Sequence, residues 1–229
     1  TPPVTQPKAF NTTHANVQRE DYDFFIKNIN LNTVQTIPGS TLEELPTPNG
    51  SSTYDGAEVY FRSGDLTIQI STAQNVPAGT AKIIFVDGDV LISNTGTLNR
   101  SILTVEEGGY FAVIASGDIA FEKTIGNEIT FEGGGLTTPN IAGVYIASNE
   151  LIVQNDNNAA TKDELFVGEG TFVGWEGIEL RRTYNNTTSI FDAGINATYP
   201  TTNFIFRPDF NRNTPTILRK PSLVWQEVN

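Results

Sequence analysis

Cysteine is absent from this chain of 229 residues, and histidine occurs once. Without cysteine no disulfide holds the fold and no thiol chemistry is available, so an apolar core must suffice. With His14 alone, a Ser-His-Asp triad or a multi-histidine zinc site lacks its raw material. Basic residues are scarce too: 14 Lys and Arg stand against 26 Asp and Glu, a formal net charge of −12. Nucleic-acid affinity rests on Lys and Arg displacing counterions, so no nucleic-acid partner is expected. The acidic balance favours solubility and divalent cations and discourages contact with anionic membranes. No run approaches the ~18 apolar residues of a membrane span, so direct membrane insertion of this segment is not expected either. The stretch Thr1 to Phe10 carries neither an initiator Met nor a basic-then-apolar signal pattern, and any signal or anchor is expected outside this sequence. A phosphate-binding Gly-x-x-x-x-Gly-Lys loop is also missing; Gly133-Gly134-Gly135 runs into Leu-Thr-Thr and reads as a turn.

What the chain does contain is short apolar runs broken by turns. A hydrophobic share of 38% with 17% charged residues is too apolar for disorder. Frequent Gly and Pro argue against long helices. Residues 1–53 read as a linker, a lead-in strand or cap at Tyr22-Asp23-Phe24-Phe25-Ile26, and a capped helical turn at Thr41-Leu42-Glu43-Glu44-Leu45. From there to residue 198 one unit recurs. Tyr60-Phe61-Arg62-Ser63-Gly64-Asp65-Leu66-Thr67-Ile68 aligns with Ile84-Phe85-Val86-Asp87-Gly88-Asp89-Val90-Leu91-Ile92 and with Val113-Ile114-Ala115-Ser116-Gly117-Asp118-Ile119-Ala120-Phe121. Two looser copies follow, Val144 to Ile152 with Asn149 at the turn and Leu165 to Val173 with Glu169 at the turn.

The steps between turns are irregular, roughly 20 to 30 residues, as expected where strands stack and loops vary. Each unit exposes apolar faces that only a stacked neighbour can bury. The predicted fold is therefore all-β, a right-handed parallel β-helix over 54–198 in one domain, with Gly-Asp turning one sheet into the next. An antiparallel sandwich is the competing architecture, but its strands would not repeat one turn in one place. The tail 199–229, with Pro200, Pro208, Pro215 and Pro221, reads as a strap along the coil, its buried surface supplied by Phe204, Phe206, Phe210 and Trp225.

The set Phe85-Val86-Asp87-Gly88-Asp89-Val90, Ile114-Ala115-Ser116-Gly117-Asp118-Ile119, Gly143 to Ala147, Phe172-Val173-Gly174-Trp175 with Leu180-Arg181-Arg182, Phe206-Arg207-Pro208-Asp209 and Pro221-x-x-x-Trp225-x-Glu227-Val228 resembles uncharacterised exported β-helix domains. These belong to large surface or pilus-associated proteins of candidate-phylum (Patescibacteria-like) bacteria. The resemblance covers about residues 59–229. It implies an extracellular or cell-surface location and a structural or attachment role, and it brings no catalytic residues.

Four aspartates are the candidate metal ligands. Stacked coils place Asp65, Asp89 and Asp118 in a column about 4.8 Å apart, where a Ca²⁺ held with Asp87 and turn carbonyls would relieve repulsion. The competing reading makes them turn formers whose column is solvated, shifted in register or paired with Arg62 or Lys123. No cofactor is required by the fold. Trp175 and Tyr184 are the candidate sugar platforms, Tyr184 because Asn185-Asn186-Thr187 beside it marks a polar loop; Tyr110 and Tyr145 are read as core. Paired carboxylates of a glycosidase or lyase are sought in Glu106-Glu107 and Asp163-Glu164, but neighbours on a strand point to opposite faces and both read as turns. Asn11, Asn49, Asn99, Asn185, Asn186 and Asn196 each open an Asn-x-Ser/Thr sequence. The function expected is a non-catalytic structural or adhesive module presenting loops 126–140, 154–163 and 183–203. Its partner would be another surface or appendage protein or a polysaccharide. The alternative is a carbohydrate-binding or polysaccharide-degrading β-helix.

Overall fold

A computed structural model describes residues 19–27, 29–48, 53–54, 56–95, 102–127, 138–156, 163–184 and 199–219. Successive turns begin with strands β4 (Ala57–Ser63), β7 (Ala81–Asp87), β10 (Tyr110–Ala115), β12 (Ile141–Ala147) and β14 (Phe166–Gly174). Each is followed across a tight corner by a strand of a second sheet: β5 (Leu66–Ile70), β8 (Val90–Asn94), β11 (Ile119–Phe121), β13 (Glu150–Val153) and β15 (Gly177–Leu180). Parallel pairing in register, for example Tyr60↔Ile84, Ile84↔Val113 and Val113↔Tyr145, builds the coil. A short third strip of β6 (Gln74–Val76) and β9 (Leu103–Val105) closes the early turns. The result is a β-solenoid of about 4 turns with very little helix, as the repeat predicts. Antiparallel contacts among the described residues are confined to β3 (Thr53–Tyr54) on β4 and to a bridge between Asn127 and Leu165, which excludes the sandwich.

The interior is aromatic. Phe121 on the smaller sheet meets Tyr145, Phe166 and Phe172 of the larger one at centroid distances of 5.1, 5.0 and 5.8 Å, in edge or tilted geometries favoured by ring quadrupoles. Every residue of β10 and β12 is buried, whereas β5 alternates. A strand reads as continuously apolar when both its faces are covered. The outer cover of the larger sheet comes from the chain's own flanking segments. Tyr22, on a short helix α1 (Tyr22–Ile26) capped by Asp21, packs against Phe85. Phe210, on helix α2 (Pro208–Asn213), packs against Tyr110.

Four local expectations change. The aromatic cluster at 22–26 is helical, because Asp21 accepts the Phe24 amide and opens a first turn. Thr41–Leu42 forms strand β2 instead of a helical turn, since it pairs with Thr67 and Ile68 and tertiary pairing outweighs local propensity. The last turn's corner is Trp175-Glu176, not Glu169: residues 166–174 run as one strand, and the Glu150↔Gly177 pairing sets the register. The strap buries Phe210, but Phe204 and Phe206 stay 38% and 64% exposed because β16 (Thr202–Ile205) forms the coil's last edge. Trp225, Gly133 to Gly135, His14 and the six Asn-x-Ser/Thr positions lie outside the described residues. No described helix is long and apolar enough to cross a membrane.

Candidate functional site

The aspartate column exists, and its geometry gives it a definite task. Asp65 Oδ1 accepts the Asp89 amide at 3.0 Å, Asp89 Oδ1 accepts the Asp118 amide at 2.8 Å, and Asp118 Oδ1 accepts the Glu150 amide at 3.0 Å. Each carboxylate thus satisfies a corner amide of the following turn, and an N–H dipole directed at each negative charge offsets repulsion along the column. The glycines are there for room. A Cβ on Gly117 would lie 1.9 Å from Asp89 Oδ1, and one on Gly88 would lie 2.7 Å from Asp65 Oδ1. Asp87 accepts the Ser116 hydroxyl at 3.2 Å instead of joining the column. Neither expected counter-ion engages it: Arg62 donates to the carbonyls of Ile37, Pro38 and Asp65, and Lys123 pairs with Asp156. Among the described residues no group of three or more acidic or histidine side chains gathers to hold a metal ion.

The two candidate sugar platforms fare differently. Tyr184 is fully buried, packed with Leu165 and Val167, its hydroxyl donating to the Pro200 carbonyl at 2.8 Å. A ring enclosed on both faces offers no stacking surface, so Tyr184 is corrected to a core residue. Trp175 stays 37% exposed, but its indole N–H donates to the Glu20 carbonyl at 3.0 Å and the Arg19 guanidinium lies 5.7 Å from its ring centre. It ties the N-terminal segment to the last corner. Of the carboxylate pairs, Glu106 accepts from Ala78 and Asn75, while Glu107 faces solvent near Arg212. Asp163 is buried and is no solvated turn: it accepts the amides of Asp156 and Thr183 at 2.7 and 2.8 Å.

Three cations not assigned a role by sequence hold the coil together. Arg182 donates to the carbonyls of Glu122, Gln154 and Glu164 at 2.8, 3.0 and 3.0 Å, joining the ends of successive turns. Burial lowers its pKa to about 10, so it stays charged at neutral pH. Arg207 forks onto Asp209 and reaches Glu169 at 3.0 Å and the Val105 carbonyl at 3.2 Å, locking the strap to the sheet. Its guanidinium keeps the Asp209 carboxyl below the ordinary aspartate value, chiefly by hydrogen bonding. Lys82 pairs with Glu58 and donates to the Pro46 carbonyl at 2.9 Å, closing the N-terminal end of the coil where Leu45 is buried. A neutral residue, Asn140, does similar work. It is fully buried, with its side chain bonded to Asn127 and to the Val167 amide. Lys82, a lone cation in the apolar run 81–86, was the one available signal among the three cations; Arg182 beside Arg181 and Arg207 in the Pro-rich tail carried none. Only contacts far apart in sequence reveal what each one binds.

The opposite end of the coil is open among the described residues. Ile178 and Leu180 continue the inward column of Leu151 and Val153, yet they are 48% and 53% exposed. With Gly170, Thr171, Phe172, Phe204 and Phe206, Ile178 lines a cavity of about 340 Å³ at this end. Among the described residues these features define a parallel β-solenoid whose N-terminal end is closed by its own chain and whose last turn carries exposed apolar residues. Comparison with family models, curated proteins and solved structures finds no match for this chain.

Proposed function

We propose that the chain is a non-catalytic structural or adhesive module of a surface protein or appendage, a stiff coil that spaces and presents its loops. What supports this reading is the assignment of the buried and corner charges. The aspartate column binds corner amides, Arg182 binds strand-end carbonyls, Arg207 holds the strap and Lys82 holds the cap. The aspartates and Arg182 tie one turn to the next, while Arg207 and Lys82 tie the flanking segments to the coil, and such stitching suits a mechanical role. The extracellular or cell-surface setting, and the kinship with exported β-helix domains carried by 85–90, 114–119, 172–175 and 206–209, belong to the same proposal. A partner of this module is another surface or appendage protein, or a polysaccharide.

The test is incubation with a panel of immobilised cell-wall and extracellular polysaccharides, reading retention and new reducing or unsaturated ends. Retention without new ends, or neither, is expected. New ends would overturn the reading and make the chain an enzyme. The partial exposure of Trp175 favours carbohydrate binding as the second reading. Loss of retention in Trp175→Ala, measured well below its melting temperature, would establish it.

A further inference from the structure

Residues 19–27 cross the outer face of the larger sheet from the last turn of the coil to its second. The Glu20 carbonyl accepts the Trp175 indole N–H at the last corner, at 3.0 Å. One corner earlier the Tyr22 amide donates to Ser148 Oγ at 3.2 Å, and the Tyr22 ring lies against Phe85 of β7 at 6.3 Å. A little further on, the same chain becomes the first turn. There β1 (Gln35–Thr36) pairs in parallel with β4, β2 pairs with β5, and the closing segment buries Ile37 and Leu45. Units of a solenoid ordinarily contact only adjacent units, so its two ends loosen independently. The corner aspartates follow that rule, each reaching only the next turn. The segment 19–27 does not, because it touches the last, fourth and second turns and leads directly into the first.

We propose that residues 19–27 are a clasp whose seating on Trp175 is thermodynamically coupled to closure of the first turn, so that a change at the last corner is felt at the opposite end. The connection between them is fixed at several points. Phe25 and Ile29 are buried, the Ile29 amide donates to the Ile26 carbonyl at 3.0 Å, and the Thr33 amide donates to the Asn30 carbonyl at 2.9 Å. A displacement of α1 therefore meets little slack before it reaches β1. The two anchors differ in strength. At the last corner Trp175 is 37% exposed and holds the clasp by one indole hydrogen bond and the Arg19 guanidinium 5.7 Å from its ring centre. At the first turn the Ile37 amide donates to the Phe61 carbonyl at 2.8 Å and the Thr67 amide to the Ser40 carbonyl at 2.7 Å. Release consequently starts at Trp175. The clasp is one element with two arrangements, seated and released, that both ends of the coil bias, and such coupling is reciprocal. It is a property of the coil itself and does not depend on the partner proposed above.

The test is hydrogen exchange of the full chain, read at individual amides by nuclear magnetic resonance. Trp175→Phe keeps a ring beside Arg19 and removes the N–H that Glu20 accepts. Exchange should rise at the Tyr22 amide and, by about threefold or more, at the Ile37 and Thr67 amides of the first turn. Asp118→Ala is the control: it removes the acceptor of the Glu150 amide at a corner closer to the first turn but outside the clasp. It should leave Ile37 and Thr67 unchanged. Reciprocity supplies a second arm. Gln74 Oε1 accepts the Leu45 amide at 3.3 Å, so Gln74→Ala loosens the first turn and should speed exchange at the Tyr22 amide. Ile37 and Thr67 exchange unmoved by Trp175→Phe, an equal rise there in Asp118→Ala, or Tyr22 exchange unmoved by Gln74→Ala would overturn the proposal. No polysaccharide enters these measurements, so this proposal and the functional reading fail separately.

Discussion

Gly117 and Asp89 belong to one device and should fail together. Asp89→Ala removes the acceptor of the Asp118 amide at an exposed corner and should cost about 1 kcal/mol in chemical denaturation, whereas Asp89→Asn keeps an acceptor oxygen and should cost less. Gly117→Ala puts a methyl where the Asp89 carboxylate sits, so that carboxylate must swing away and the same hydrogen bond is lost. In an Asp89→Ala background the Gly117→Ala penalty should therefore shrink, a non-additivity a double-mutant cycle reads directly. Calcium and chelator melts check the column's other use: an upward shift in calcium that disappears in Asp89→Asn would place a cation on it. The alignment of these residues was legible in the sequence because the turn repeats. Their hydrogen bonds were not, because the partner of each aspartate lies 24 to 32 residues away.

Two arginines govern how separate elements adhere. Arg182→Met leaves three strand-end carbonyls without their donor in a buried place and should destabilise by about 3 kcal/mol. Arg182→Lys should recover little of this, since one ammonium lacks the planar fork that reaches three acceptors. Arg207→Ala should release the strap at a cost of roughly 2 kcal/mol. Hydrogen exchange should then rise in α2 before the central strands. The same latch gives an acid response. The Asp209 carboxyl titrates below its unfolded value, so its contribution is complete at neutral pH and is lost as the pH falls below about 4, through the folded value. Strap protection should decline in that window and persist above it. The strap itself was legible from its prolines and aromatics. Its route was not, because Phe206 and Phe210 have the same chemistry and only the position of β16 leaves one outside and buries the other.

For the whole molecule, the far-ultraviolet spectrum should be dominated by β structure, and substantial helix would contradict the architecture. The flanking segments are part of the fold. The Tyr22 amide bonds Ser148 Oγ at 3.2 Å, Trp175 bonds Glu20, and Tyr22 covers Phe85. Deleting residues 1–27 uncovers the outer face of the larger sheet and should produce dye binding and self-association, measurable by ANS fluorescence and light scattering. The smaller sheet's outer face, polar at Thr67 and Gln69, should tolerate substitution.

Composition and periodicity determined the class of this protein: a strand-rich chain with a recurring strand, Gly-Asp corner and strand has one economical way to bury its apolar faces, which is to stack in register. They also determined where the corner aspartates line up. Only the tertiary structure decided which aromatic rings are enclosed, as with Tyr184. It also moved the last corner from Glu169 to Trp175-Glu176 and gave Arg182 and Arg207 their partners. The physical reason is one of range. A repeat is a local pattern that any coil expresses at every turn, but burial and hydrogen bonding at the ends and along the outer face depend on segments far off in sequence, 60 residues for Arg182 to Glu122 and 155 for Trp175 to Glu20.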